Sequence, residues 1–128
     1  MNVQEILADV DLKYPNDVDT AHKWGWITQM DKLLLDECLK THELKVCEEQ
    51  KAAQIEAMDT ARSDYEPLAQ PPYQDVYIHY LAMQMAMINA DTDAYNNESA
   101  LYNNAVLTYK NMFNRTHRMK ETGQRWRV

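Results

Sequence analysis

Cys38, His42 and Cys47 form the one cluster of metal-ligating residue types in this 128-residue chain. A structural zinc site takes four ligands, and three at this spacing leave one unnamed. The expectation is therefore two buried thiols and a surface histidine. No helical segment carries the Glu-x-x-His pattern that puts a di-iron shell inside a bundle. Asp91, Asp93, Asn96, Asn97 and Glu98 crowd a single turn. A calcium loop would need a central glycine and a distal glutamate at fixed offsets, so helix capping by Asp93 or Asn96 is the expectation. The histidines at 22, 42, 79 and 117 are scattered, and neither cysteine has a base at an obvious sequence distance for nucleophilic catalysis. His79 lies off the apolar stripe of its segment and reads as a surface or subunit-contact residue. Two glycines cannot build a phosphate-binding loop. The residues predict a protein that is not an enzyme and that takes no metal or cofactor.

Charge is the second chemical signal. Residues 110–128 hold six basic side chains (Lys110, Arg115, Arg118, Lys120, Arg125 and Arg127) against Glu121, a net of +5. The preceding 109 residues hold seven basic and nineteen acidic side chains, a net of −12. An acidic body with a basic end predicts that the end touches something negative: nucleic acid, an acidic partner, or the body of a neighbouring copy. In a patch with Trp126 between Arg125 and Arg127, the arginines could neutralise phosphates and the indole could stack on a base. The body's negative charge opposes DNA docking, and no basic recognition helix is visible. Docking into a partner is the favoured reading.

The elements that must position these residues are helical. Two glycines is far below the average of about 7%, which disfavours tight turns, and Leu, Ala, Met, Gln, Glu and Lys recur. Val3, Ile6, Leu7 and Val10 predict a first helix over 3–13, ended by Tyr14-Pro15. Asp17 or Asp19 caps a second, running to Thr41-His42, with Ile27, Met30, Leu34 and Cys38 on one face and Trp24 and Leu35 near it. Residues 43–63 fit either a helix by propensity or an extended arm by pattern. Residues 64–72 read as a rigid, extended connector. A helix over about 73–91 places Tyr73, Val76, Tyr77, Tyr80, Gln84, Met87 and Ile88 on one face. Leu81, Met83 and Met85 broaden its apolar surface beyond one partner helix, which predicts burial in a large body or against another subunit. A helix over about 94–116 presents Tyr95, Tyr102, Val106, Tyr109 and Phe113, and the short connection predicts an antiparallel hairpin. Eight tyrosines against one phenylalanine suggest faces that serve both core and subunit contact. From Thr116 onward the chain is expected to be basic and without order of its own. No stretch approaches the ~20 apolar residues of a membrane span, and the N-terminus lacks a signal-peptide pattern. A reducing cytoplasm is expected, where two cysteines make no disulfide framework and the sequons at Asn97 and Asn114 go unused.

The string Pro72-Tyr73-x-x-x-Tyr77-x-x-Tyr80-Leu81, then Tyr95-Asn96-Asn97, Tyr109 and Asn114-Arg115-Thr116-His117, resembles the small head-tail adaptor (connector, or head completion) proteins of tailed bacteriophages. Tyr14-Pro15-Asn16, Trp24, Asp31 and Thr41-His42 fit the same order upstream. The resemblance covers both ends of the chain but not about 43–66. It implies an all-α adaptor domain over 1–114, with a variable arm or connector at 43–70 and a basic tail at 115–128. It implies a virion protein at the head-tail interface, held in the host cytoplasm during assembly. Its partners would be the portal ring, the next neck or tail component, and itself in a twelve-fold ring whose channel passes DNA without specific binding. Portal contact would fall on Arg115, Arg118, Lys120, Arg125, Trp126 and Arg127. Core and inter-subunit contact would fall on Tyr73, Tyr77, Tyr80, Leu81, Tyr95, Asn96, Asn97, Tyr102 and Tyr109. The rival expectation is a small helical regulatory or nucleic-acid-binding module acting through the basic tail.

Overall fold

The fold is all-α, and three of its helices start where an Asn or Asp side chain holds a first-turn amide. In the computed structural model, residues 1–120 are described; Arg125, Trp126 and Arg127 of the expected tail lie outside them. Asn2 Oδ1 accepts from Glu5 N at 3.0 Å, and Asn2 N donates back to Glu5 Oε1 at 3.0 Å. This reciprocal capping box opens α1 (Val3–Lys13), which buries Val3, Ile6, Leu7 and Val10. Asp19, rather than Asp17, opens α2 (Thr20–Leu34) by accepting from His22 N at 2.8 Å. The expected continuation of α2 to His42 gives way to a wider π-helical turn over Leu35–Leu39. Side chains end it: Thr41 Oγ1 donates to the Glu37 and Cys38 carbonyls at 3.0 Å, and His42 Nδ1 meets the Cys38 carbonyl at 2.7 Å.

Of the two readings left open for 43–63, the helix is the one formed, as α3 (Val46–Ala57). Glu48 Oε1 accepts from Lys45 N at 2.9 Å at its start. Ile55 is the single buried residue of α3, which explains why no clean apolar stripe can be read there.

The last two helices are α4 (Asp75–Ile88) and α5 (Thr92–Thr116), packed along each other. Their contacts run in opposite order along the two segments: Tyr73 meets Tyr109 with ring centroids 5.9 Å apart, and Tyr80 meets Tyr102 at 5.6 Å. The pair is therefore antiparallel. α4 buries Val76, Tyr77, Ile78, Leu81, Ala82, Met83, Met85 and Ala86. That breadth of apolar surface, expected to need a large body or a second subunit, is covered by α1, α2 and α5 of the same chain. Met87 and Ile88, expected on the buried stripe, are 59% and 61% exposed. They occupy the last turn, where α4 gives way to the connection.

That connection closes tightly. Asp91 N donates to Ala86 O at 2.9 Å and Ala90 N to Met87 O at 3.1 Å, the Schellman arrangement. It puts Ala90 at φ 53°, a left-handed conformation that a Cβ disfavours. Asp91 then caps α5, accepting from Ala94 N at 3.1 Å. Asp93 and Asn96, the expected caps, lie inside α5, two and five residues past the cap position.

The segment before α4 is not the extended connector that its prolines suggest; it folds into the body around Asp31. Asp31 lies on the apolar face of α2 and is 0% exposed. Its Oδ2 accepts from Tyr65 Oη at 2.5 Å and from Leu68 N at 3.1 Å, and its Oδ1 accepts from Tyr77 Oη. Tyr77 Oη in turn accepts from Ala69 N at 2.8 Å. Burial pushes the Asp31 carboxyl up, against the opposing pull of the two phenols and the amide. One turn earlier, Thr28 Oγ1 accepts from Ala61 N at 2.5 Å. The same segment holds the start of α1: Tyr65 O accepts from Val3 N at 2.9 Å and Ser63 O from Gln4 N at 3.1 Å.

Two changes test this account. Asp31→Ala leaves two phenol hydroxyls and an amide without their acceptor, and is expected to lower stability by about 3 kcal/mol, read from the urea midpoint. An unchanged midpoint would mean that packing alone holds the segment. Ala90→Gly is expected to raise stability by about 1 kcal/mol, seen as a higher melting temperature, because it relieves the left-handed strain. A lower melting temperature would place the cost of glycine's freedom above that strain.

Candidate functional site

The residues that sequence analysis assigned to partner contact lead to the point where α5 ends. α5 runs through Arg115 to Thr116, so the first residue of the expected tail belongs to its exposed last turn. Beyond it the chain does not leave the body at once. Glu43 N donates to Arg118 O at 2.7 Å and Lys120 N to Thr41 O at 3.0 Å. Met119 thus pairs antiparallel with His42. The expectation of an unordered chain from Thr116 is corrected for residues 117–120, because Thr41–Glu43 offers them free backbone groups just past the π-helical turn.

Side chains lock the same junction. His42 is buried, not at the surface as expected. Its Nε2 lies 2.8 Å from Asn114 Oδ1, and its ring meets the Phe113 ring edge-on, 5.0 Å between centroids. His117 stacks flat on Phe113 with 3.9 Å between centroids. Its Nε2 meets Glu48 Oε2 at 2.5 Å, and its Nδ1 meets Thr116 Oγ1 at 2.8 Å. Four separate elements thereby grip one another: the π-helical turn, the 41–43 segment, α3 and the end of α5. Burial pushes the Glu48 carboxyl up, but the Lys45 amide and the His117 ring outweigh it and hold the group below its ordinary value.

A cavity of about 400 Å³ lies against this junction. Leu39, Tyr73, Met112 and Phe113 supply apolar walls, with Glu48, Lys51, Gln70 and His117 on the polar side. Cys47 also lines it and is exposed, against the expectation of two buried thiols; Cys38 is the buried one. Cys47 sits in the first turn of an α3 whose core contact comes only at Ile55, which leaves its thiol outside. Burial raises the Cys38 thiol to about 11, so at neutral pH it is a protonated packing group. Among the described residues, no group of three His, Cys, Asp or Glu side chains is placed to hold a metal ion.

The tyrosine set divides by position. Tyr77, Leu81 and Tyr109 are core. Tyr73, Tyr80, Tyr95 and Tyr102 are half-buried, and Tyr80 Oη donates to Gln29 Oε1 at 3.1 Å. Asn96 and Asn97 are exposed on α5. His79, expected at the surface or between subunits, is turned inward instead. Glu98 receives Tyr14 Oη on Oε1 at 2.7 Å and meets His79 Nδ1 with Oε2 at 2.7 Å. The acid between them draws both side chains in from α4 and from the end of α1. Burial and the Glu98 carboxylate together raise the Tyr14 phenol to about 12.

The Glu48–His117 contact has a pH signature. A carboxyl held below its ordinary 4.5 in the folded chain contributes stability above that value and loses it as the pH falls through the lowered one. Protection of the Glu43 and Lys120 amides against exchange, relative to the unstructured rate at each pH, is therefore expected to fall on acidification below about 4.5, with Glu48→Gln removing part of that dependence. An identical pH profile in the variant would show that Glu48 does not hold the junction. Comparison of the chain with protein-family models, with curated proteins and with solved structures finds no match.

Proposed function

We propose that this protein is a structural assembly component, a head-tail adaptor of a tailed bacteriophage. In this reading its helical bodies pack side by side in a ring beneath the portal, and its basic C-terminal segment docks on the portal. The observation that carries the reading is the junction at the end of α5. Thr41-His42 and Asn114 to His117, far apart in the chain and both within the resemblance, meet there and pair the backbone of residues 118–120 to the body. A docking segment issued from a rigid junction starts from a set position, which lowers the ordering cost of binding. The acidic body supports the same reading: of its first 109 residues, nineteen are acidic and seven basic, and a negatively charged channel wall lets DNA slide rather than stick. Repeated side-by-side contacts of this kind are heterologous and close into a ring when the rotation between copies allows; the expected ring is twelve-fold. The protein would pass from host cytoplasm into the virion, between the portal and the next neck or tail component.

A second reading, a small nucleic-acid-binding module, is favoured by one feature, Trp126 between Arg125 and Arg127. Salt separates the two. A chain that neutralises several phosphates loses DNA affinity steeply between low and physiological salt, whereas an adaptor binds bare DNA poorly at physiological salt.

The test is co-purification with the portal protein of the same genome. A chain ending at Lys120 keeps the pairing with Thr41–Glu43 and is expected to melt like the full chain yet lose recovery of the portal ring at least about ten-fold. Undiminished recovery would refute docking through the C-terminal segment. Recovery of nucleic acid alone, lost at high salt, would favour the second reading.

A further inference from the structure

Tyr109 on α5 carries a hydroxyl that the fold does not use. The residue is 3% exposed, and its ring meets Tyr73 edge-on at 5.9 Å and Phe113 at 6.0 Å between centroids. Among the described residues its Oη has no hydrogen-bond partner, whereas Tyr14, Tyr65, Tyr77 and Tyr80 each donate theirs to a side-chain oxygen. Burial raises the Tyr109 phenol above its ordinary value, so at neutral pH it keeps its proton and remains a donor. A buried donor without an acceptor is costly, and such groups call for an explanation.

Tyr109 lines the cavity of about 400 Å³ beside the α5 junction, a size within the range of small-molecule sites. Leu39, Leu68, Met112 and Phe113 make its walls apolar. Its charged and amide groups are already engaged. Glu48 holds the Lys45 amide and the His117 ring, and Gln70 holds both ends of Met1 and the Pro67 carbonyl. Lys51 Nζ donates to Glu66 O and lies 4.2 Å from the centroid of the Tyr65 ring, and neither Glu66 nor Tyr65 lines this cavity. A charged ligand would therefore give up its hydration here without meeting a free counter-charge. A neutral aromatic one buries its faces against the apolar walls, packs against the Tyr73 and Tyr109 rings, and needs polar chemistry only toward the free phenol.

We infer that this cavity binds a small neutral aromatic molecule carrying one hydrogen-bond acceptor, an aryl carbonyl compound being the simplest, with Tyr109 Oη donating to that acceptor. A ligand seated there touches α3, the 58–74 segment and the end of α5 together, and so stiffens the junction that pairs residues 118–120 with the body. The inference rests on the cavity and the unpaired phenol, and holds or fails independently of the adaptor reading.

The probe is the neutral naphthyl ketone dye Prodan. Its emission moves to the blue on leaving water and back toward the red when its carbonyl accepts a hydrogen bond. Titration of a fixed, low probe concentration with the full chain is expected to shift the emission to the blue, with a dissociation constant on the order of 100 µM. Tyr109→Phe keeps the ring and removes the hydroxyl. It is expected to weaken binding about ten-fold and to move the bound emission further to the blue. Met112→Trp fills the cavity and is expected to abolish binding, with circular dichroism melts checking that both variants are folded. Absence of binding by the full chain would overturn the inference. An unchanged affinity and bound emission in Tyr109→Phe would overturn it too, since the phenol would then play no part. Binding retained by folded Met112→Trp would do the same by placing the probe elsewhere.

Discussion

A single carboxylate organises the larger half of this fold. Asp31 has no exposed surface, and it is surrounded by donors that come from outside its own helix: two phenols and one backbone amide. An uncompensated charge or acceptor in such a position costs several kcal/mol. The 58–74 segment must therefore fold inward, and α4 must present Tyr77 at one depth. The consequences reach the N-terminus. Once Tyr65 is placed, its carbonyl receives Val3 N, and Gln70 receives the terminal amine of Met1 at 2.5 Å. A long proline-containing segment with little apolar content thus becomes the centre of a polar network linking α1, α2 and α4.

The other end of the molecule is held by a different chemistry. At the close of α5, aromatic stacking and imidazole contacts do what the carboxylate does at α2. Phe113 is the hub, edge-on to His42 and flat against His117. Between the two ends runs the antiparallel α4–α5 pair, and it turns through a residue, Ala90, whose backbone conformation is better suited to glycine. Strain of this kind persists where the surrounding closure over-determines the chain, and here both Schellman bonds do so.

Functionally, the molecule divides into a body whose titratable groups are mostly partnered and an end whose charge is opposite. Lys23 with Asp11, Lys110 with Glu37, and Lys40 with Asp36 and Glu56 are ion pairs within the described body. Buried acids, Asp31 and Glu98, serve tyrosine and histidine partners rather than lysines. These groups define conformation. In the proposed reading the basic C-terminal residues carry association, and the body fixes residues 118–120 ahead of them.

Helix positions were legible because caps and apolar spacing are local properties. Asp19 stands directly before the helix it opens, and Val3, Ile6, Leu7 and Val10 declare their face within three turns. The all-α class follows from the same local rules. What could not be read were the pairings between distant side chains. Asp31 sits among Ile27, Met30 and Leu34, and an acid on that apolar face is a hint of a buried network; its partners, 34 to 46 residues away, are named only by the fold. His42 and His79 look like surface residues by spacing, and Asn114 and Glu98 draw them inward across 72 and 19 residues. The sequence by itself determined the all-α class, the approximate places of α1, α2, α4 and α5 and the opposed charge of body and end, since each follows from residue types and local spacing. Tertiary structure alone decided which polar groups are buried, how 58–74 folds and that residues 118–120 pair with Thr41–Glu43, because those outcomes depend on desolvation and on partners that only long-range packing brings within hydrogen-bond distance.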